Sequence, residues 1–293
     1  MSNPTASKEI LREQRQLRRE QFFSNPGLMI GLVGFLLIVL SAVIIPAISD
    51  VNPDAMEVVN RLKPPSAEHP FGTDEFGRDL MMRVLYGARV SLSVGCSVAL
   101  LSCLFGTIIG IYASYFKILD HIFMRICEGL IAIPGILLAI ALMAALGASN
   151  TNVILALTIV YTPSVARVVR SSALVTKGRL YVEAAKVQGA SSGRILWKLI
   201  LPNVISPLTV QASFIFAQAI ISEASLSFLG AGIPAPASSW GNILQGSKSV
   251  LSKAPWTVIF PGLAVVLCVL SLNLLGDGLR DYLDPRTAGR KKK

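Results

Sequence analysis

Long apolar stretches dominate the pattern of hydrophobic and polar positions along the chain. Each stretch is rich in Leu, Ile, Val and Ala and about as long as the roughly 20 residues that a helix needs to cross a bilayer. Pro163 and Arg167 interrupt the fourth stretch, so five spans are the alternative to six. The pattern predicts an all-α integral membrane protein with about six spans: Gly27 to Ser49, Val90 to Phe116, Ile126 to Gly147, Asn152 to Val169, Val204 to Leu229 and Val258 to Leu275.

The first apolar stretch is predicted to be an uncleaved membrane anchor. It is longer than the roughly 7 to 15 apolar residues of a signal peptide and follows the polar segment 1–26. Basic and apolar residues alternate irregularly in that segment, so it forms either an amphipathic helix on the headgroup surface or a charged tail.

Composition changes the picture little. Apolar residues make up 53% of the chain, only 15% are charged, and the mean hydropathy is +0.61. The net charge of +10 does not indicate nucleic acid, because the basic residues lie between apolar stretches rather than on one polar face. We therefore expect membrane lipid as the surroundings. The four cysteines lie inside apolar stretches without metal-ligand spacing and are interpreted as core residues.

The distribution of Lys and Arg predicts the orientation. With the N-terminus inside, 20 of the 27 basic residues fall in cytoplasmic segments, where basic residues concentrate. Both termini are therefore predicted to be cytoplasmic. The chain divides into an N-terminal segment 1–26, a first helix 27–49, an external loop 50–89, a core 90–285 with a cytoplasmic loop 170–203, and a basic tail 286–293.

The external loop contains four prolines and ends in a run from His69 to Asp79 that is rich in glycine and acids. This composition predicts tight turns followed by a helix that Asp79 caps. His69 and His121 are isolated along the chain, so neither is interpreted as a metal ligand, and no cluster of catalytic residue types is present.

The cytoplasmic loop is predicted to form two short helices. The first runs from Tyr181 to Gln188, with Glu183 near its start and Gly189 as a left-handed C-cap. The second begins after Ser191 or Ser192 and ends before Pro202. Small side chains in the first helix, Ala184 and Ala185, would let another protein approach closely. This pattern is typical of a docking element.

Three charged residues in or near the predicted spans have a structural interpretation as well as a functional one. Glu223 lies inside the fifth span, where a charged residue is costly. It therefore either lines a water-filled path or makes a structural hydrogen bond. Arg125 and Glu128 are spaced for a local ion pair on a helix.

The order Glu-Ala-Ala, then Gly, then Ile-Leu-Pro closely resembles the coupling-loop signature of permease subunits from ATP-binding-cassette importers. Further blocks, over His69 to Leu92, Glu223 to Gly232, Trp240-Gly241 and Phe260 to Arg286, are similar to the second, or C-type, permease of the dipeptide, oligopeptide and nickel branch. Met82 departs from the small polar residue common there. The resemblance implies a coupling loop that carries Tyr181, Glu183, Ala184, Ala185, Gly189, Arg194, Leu201 and Pro202.

The resemblance also implies a type I importer fold and half of a translocation pathway for short peptides in a bacterial inner membrane. The expected partners are a second homologous permease, two ATPases that bind ATP and Mg, and an extracytoplasmic solute-binding protein. No Gly-Lys pair exists to begin a phosphate loop, so the chain is not expected to be an enzyme or to hold a cofactor. Import of nickel or a metal chelate is the alternative; a stand-alone transporter or channel and an embedded enzyme fit the pattern less well. Candidate contacts with the binding protein are Gly72, Asp74, Gly77, Arg78 and Asp79, and the pathway candidate is Glu223.

Overall fold

A computed structural model describes residues 22–234 and 237–283. Within these ranges the chain is helical, with one isolated bridge between Thr73 and Asp79 and short 3-10 turns at Val58–Asn60 and Ser247–Val250. The helices are α1 (Pro26–Ile48), α2 (Leu80–Tyr115), α3 (Lys117–Ala132), α4 (Gly135–Leu146), α5 (Asn150–Lys177), α6 (Leu180–Val187), α7 (Ser192–Phe228), α8 (Trp240–Gly246) and α9 (Trp256–Leu283).

In the described part of the chain, α1, α2, α5, α7 and α9 are each long and apolar enough to cross a membrane. The helices α3 and α4 reach that length only as a pair, which gives a sixth crossing if the pair is one span. The predicted all-α membrane fold is confirmed.

The third predicted span, Ile126 to Gly147, is not one helix. The chain bends by 95° between α3 and α4, at Ile133 and Pro134. Proline disfavours the helical conformation of the residue before it, and Ile133 is extended, with φ −89° and ψ 128°. The helical run also begins nine residues before the predicted start, at Lys117.

Two other predicted boundaries were wrong because charged residues near them have partners. Helix α2 begins at Leu80, ten residues before the predicted Val90, and includes Arg83 and Arg89, which bond to other segments of the chain. Helix α5 continues eight residues past the predicted Val169 to Lys177 and includes Arg170, whose Nη2 donates to Asp120 at 2.7 Å.

The predicted cytoplasmic loop 170–203 is mostly helical. Its second helix begins at Ser192 as predicted, but it does not end before Pro202 and continues as α7 to Phe228. A π-helical turn over Ile195–Ile200 precedes the proline, and Leu201 donates to the carbonyl of Leu196. The wider turn loosens the helix where the proline ring enters it.

Helix α1 is held mainly against α9 by close backbone approach. A Cβ on Gly31 would lie 2.6 Å from the backbone nitrogen of Leu275, and one on Gly278 would lie 2.4 Å from Cβ of Leu28. The contact therefore depends on glycine at both positions, as in other small-residue contacts between membrane helices.

An arginine also ties α1 to α2. Pro46 inside α1 has no N–H, so the carbonyl of Ala42 loses its helical donor. The Arg89 guanidinium supplies replacements, because Nε donates to Ala42 O at 2.7 Å and Nη2 donates to Val43 O at 3.1 Å.

Candidate functional site

Helix α6, which carries the Glu-Ala-Ala sequence, protrudes from the membrane bundle. Its inner face is anchored by Val182, which is buried against the core, whereas Tyr181, Glu183 and Ala184 are exposed. The apolar side chains at its two ends, Leu180 and Val187, are 83% and 88% exposed. This helix therefore presents a mixed apolar and small-residue surface outward.

A Schellman motif ends α6. Gly189 has φ +81°, its N–H donates to the carbonyl of Lys186, and the N–H of Ala190 donates to that of Ala185, both at 3.0 Å. The predicted left-handed C-cap is therefore present in the structure. No described atom lies within 4 Å of where a Cβ on Gly189 would sit, so backbone conformation and not space requires glycine here.

One hydrogen bond connects α6 to the bundle, and a second contact holds the end of the preceding helix. Asn203 Nδ2 donates to the Tyr181 hydroxyl at 3.1 Å, which joins α6 to α7. Lys177 Nζ, at the end of α5, donates to the carbonyl of Ser114 at 3.0 Å and lies over the Tyr115 ring. Helix α6 is therefore bonded directly to α7, and the helix that precedes it is held on the C-terminal end of α2.

The remaining predicted coupling residues lie at the start of α7. Arg194 is exposed, and its N–H donates to the Ser191 side chain, which is the N-cap of α7. Leu201 packs partly buried against the core, and Pro202 is exposed. Arg194 and Pro202 are thus exposed, whereas Leu201 belongs to the packing of the core. The bond from Asn203 to Tyr181 was not predicted.

The segment that was predicted to be the external loop is organised around the carboxylate of Asp74. Its Oδ1 accepts from the backbone N–H groups of Phe76 and Arg78 at 2.8 and 3.0 Å, and its Oδ2 accepts from Arg78 Nε at 2.6 Å. Arg83 lies 3.5 Å from the same carboxylate oxygen and donates to Asp54 at 3.0 Å. These bonds fix the loop on the N-terminal end of α2.

The other predicted loop residues also have internal roles. Asp79 caps α2 as predicted, accepting from the backbone N–H of Met82 at 2.8 Å, and its second oxygen lies 2.9 Å from His69 Nδ1. Gly72 and Gly77 have φ +76° and +77°, and a Cβ on Gly77 would lie 1.9 Å from the carbonyl oxygen of Glu57. These residues shape the loop from within.

One patch on the exposed surface of this loop is apolar, at residues that were not predicted as contact candidates. Val58 and Val59 are 81% and 89% exposed, and Met56 is 61% exposed. The two adjacent valines in an otherwise polar segment were the feature of the sequence that could have indicated this patch. A cleft of about 620 Å³ separates this loop from the segment after α7 and is lined by Arg78, Gln245 and Lys248, among others.

Glu223 lies in the interior of the chain with no exposed surface. Its carboxylate accepts from the hydroxyls of Ser91 and Ser227, both at 2.8 Å, and Ser91 also accepts from the backbone N–H of Trp240 at 3.4 Å. The network joins α2, α7 and α8. This geometry favours the structural hydrogen bond over the pathway role.

Helix α3 contains a local ion pair on its surface. Arg125 Nη1 lies 3.6 Å from Glu128 in the local ion pair that the spacing predicted. In the described ranges, no group of three or more His, Cys, Asp or Glu side chains is placed to hold a metal ion.

A bundle of membrane-length helices with a protruding short helix defines the class, a helical transport permease. The fold is that of an ATP-binding-cassette importer permease: the match to a MetNI methionine transporter, solved in inward facing conformations, covers 70% of this chain and 98% of that chain. The TM-score is 0.59 and the sequence identity 18%.

The sequence gives the particular family. The profile of the binding-protein-dependent transport system inner membrane components matches residues 104–289, and the chain belongs to that family. Residues 14–65 match the N-terminal transmembrane domain of oligopeptide transport permease C. The chain is thus a permease subunit of an ATP-binding-cassette transporter, as its motifs predicted.

Two relatives share almost the full length. A protein of Brucella suis biovar 1 named as a peptide transport system permease is 50% identical over 277 residues, which are 94% of this chain and 92% of the relative. The dipeptide transport system permease protein DppC of Alkalihalophilus pseudofirmus is 42% identical over 268 residues, which are 91% of this chain and 88% of the relative.

Proposed function

We propose that this chain is one of two permeases of an importer of short peptides that is driven by separate ATPase subunits. The observation that carries the substrate class is the similarity, at 42% and 50% identity over nine-tenths of the chain, to relatives named for dipeptide and peptide transport. A second homologous permease forms the other half of the pathway.

The coupling surface consists of Tyr181, Glu183, Ala184, Ala185 and Gly189 on and after α6, with Arg194 and Pro202 beside them. These residues seat in a cleft of a partner ATPase, which binds ATP and Mg and carries out the hydrolysis. Supporting this role, α6 is exposed yet bonded to α7, which runs from Ser192 without interruption to Phe228 at the other side of the bundle. Movement of the ATPase thereby reaches the far end of the pathway.

The external loop is the contact for an extracytoplasmic solute-binding protein. Gly72, Asp74, Gly77, Arg78 and Asp79 determine its shape through turns, hydrogen bonds and the cap of α2. The exposed apolar surface at Met56, Val58 and Val59 is the contact surface itself. Exposed apolar side chains grouped on a rigid polar loop are typical of a protein interaction site.

The proposed orientation has both termini and the α6 region in the cytoplasm of a bacterium, and the distribution of basic residues supports it. The membrane proposed is the inner membrane. The functional units proposed are the segment 1–26, the first helix 27–49, an external loop that ends where α2 begins at Leu80, a core that continues to residue 285 and includes the coupling loop 170–203, and the tail 286–293.

Uptake of labelled dipeptides and tripeptides by proteoliposomes is the test. The liposomes contain this permease, the permease and ATPases encoded beside it, and the neighbouring binding protein. We expect uptake that requires ATP and is competed by unlabelled peptide but not by nickel chloride. Uptake of nickel without peptide uptake would instead establish the metal alternative.

A further inference from the structure

Most helix surfaces that face outward from the bundle are apolar, as contact with lipid requires. The exposed side chains in the middle of α9 are aliphatic, with Leu263, Val266 and Leu270 about half exposed. The outward surface of α1 is similarly aliphatic. Helix α7 differs from both.

Four uncharged polar residues lie on one side of α7, spaced by seven, four and three positions. At 100° per residue this spacing keeps them within about 60° of one another around the helix. Each is exposed or partly exposed in the structure. We call this set the polar lane, and it consists of Gln211, Gln218, Ser222 and Ser225.

The two glutamines distinguish the lane from ordinary serine positions in membrane helices. Serine can satisfy its hydroxyl on its own helix, as Ser225 does by donating to the carbonyl of Ile221 at 2.8 Å. A glutamine amide has two donors and an acceptor, and neither Gln211 nor Gln218 has a side-chain hydrogen bond to any described residue. An amide without partners is unfavourable in hydrocarbon, so the lane needs water or a polar ligand.

The lane has defined borders. On one side, the Tyr161 hydroxyl of α5 lies 2.6 Å from Ser222 Oγ and donates to the backbone carbonyl of Gln218. On the other side, Ile221 and Phe228 line an apolar cleft of about 420 Å³. From Gln211 to Ser225 the lane extends about 21 Å along the helix, most of the roughly 30 Å hydrocarbon thickness.

We propose that the polar lane is the wall of the translocation pathway contributed by this chain, and that its amides and hydroxyls bind the main-chain amides of the transported peptide. Each lane side chain can both donate and accept, as can each peptide unit. The lane carries no charge, so it discriminates little between peptide side chains. The identity of the ligand, a peptide, rests on the proposed function. The exposure of the polar lane to water does not rest on it.

Thiol labelling in the assembled transporter tests the exposure to water. Gln211, Gln218 and, as the lipid-facing control, Val266 are each replaced by cysteine after Cys96, Cys103, Cys127 and Cys268 are replaced by alanine. Should that background lose uptake, replacement of the exposed Cys96 alone serves, with the parent protein giving the background rate. The probe is a quaternary-ammonium methanethiosulfonate.

We expect the lane cysteines to react at least about tenfold faster than the cysteine at 266, because the reagent's fixed charge excludes it from hydrocarbon. Saturating peptide with the binding protein and ATP should slow the reaction at Gln218→Cys. Equal, slow reaction at all three positions would overturn the proposal.

Uptake measurements test the contact with peptide. Gln218→Leu should lower peptide uptake about tenfold, as expected for loss of one or two hydrogen bonds, without lowering the amount of assembled complex. Gln218→Asn should retain most uptake, and Val266→Leu should retain all of it. If the lane is labelled but the wild-type complex does not transport peptides, the proposed substrate is wrong and the pathway wall stands.

Discussion

Arg89 compensates for a hydrogen bond that proline removes from a neighbouring helix. Replacing Arg89 with Met keeps much of the side-chain volume but leaves the Ala42 carbonyl without a donor. A hydrogen bond from a charged group contributes about 1.5–3 kcal/mol. We expect Arg89→Met to lower the midpoint of thermal unfolding of the purified complex by a corresponding amount.

A double-mutant cycle isolates this interaction. Pro46→Ala restores a backbone N–H that can donate to Ala42 within α1. The cost of Arg89→Met should therefore be smaller in the Pro46→Ala background than in the wild type. Strictly additive costs would show that Arg89 stabilises the protein by other contacts.

Gly189 is the residue on which the shape of the coupling element most depends. Valine at a positive φ is strongly disfavoured, at a cost of about 1–2 kcal/mol, whereas asparagine tolerates this conformation. Gly189→Val should reduce both peptide uptake and the amount of ATPase that co-purifies, with normal insertion in the membrane.

Gly189→Asn is the matched control and should preserve both peptide uptake and the amount of ATPase that co-purifies. Glu183→Lys supplies an independent change on the same helix, since it places a cation at the N-terminal turn at a cost of about 0.3–1 kcal/mol. Wild-type uptake and full ATPase retention in both Gly189→Val and Glu183→Lys would remove α6 from the coupling role.

At the scale of the elements, the membrane topology is directly testable. In a variant without the four native cysteines, single cysteines at Ser66 and Ser192 should react with an impermeant reagent from opposite sides. Ser66 lies in the external loop and Ser192 at the first turn of α7. Labelling of both from the same side would contradict the orientation that the basic residues predict.

Local sequence patterns predicted the elements that depend on nearby residues. The apolar stretches located the spans, Asp79 and Ser191 capped the helices they precede, and Gly189 ended α6. Proline was harder to interpret, because Pro134 breaks a span and Pro163 does not. The chain before Pro134 is extended at Ile133, whereas the chain around Pro163 stays helical.

Contacts between residues that are far apart in the sequence could not be predicted from local patterns. The boundary of α2 was placed too late because Arg83 and Arg89 looked like loop charges, and only the fold provides Asp54 and the Ala42 carbonyl as their partners. The bond between Tyr181 and Asn203 likewise joins residues whose proximity depends on how α6 folds back on α7. The candidate site was therefore predictable in its local shape and not in its attachment.

At the scale of the whole molecule, the proposal that separate subunits hydrolyse ATP can be tested by comparing the isolated chain with the assembled complex. The purified chain alone should not hydrolyse ATP above background, whereas the complex with its neighbouring ATPases should, and binding protein loaded with peptide should stimulate it. Robust hydrolysis by the isolated polypeptide would contradict the assignment of this step to partner subunits.

The close packing of α1 on α9 has a consequence for how the protein is made. Gly31 leaves the ribosome about 240 residues before the part of α9 that covers it, a delay of roughly 10–50 s at about 5–20 residues per second. During that interval the glycine surface of α1 faces lipid or an insertion factor. A nascent chain that stops before α9 would keep this surface uncovered, which gives membrane proteases a mark that distinguishes unfinished chains from complete ones.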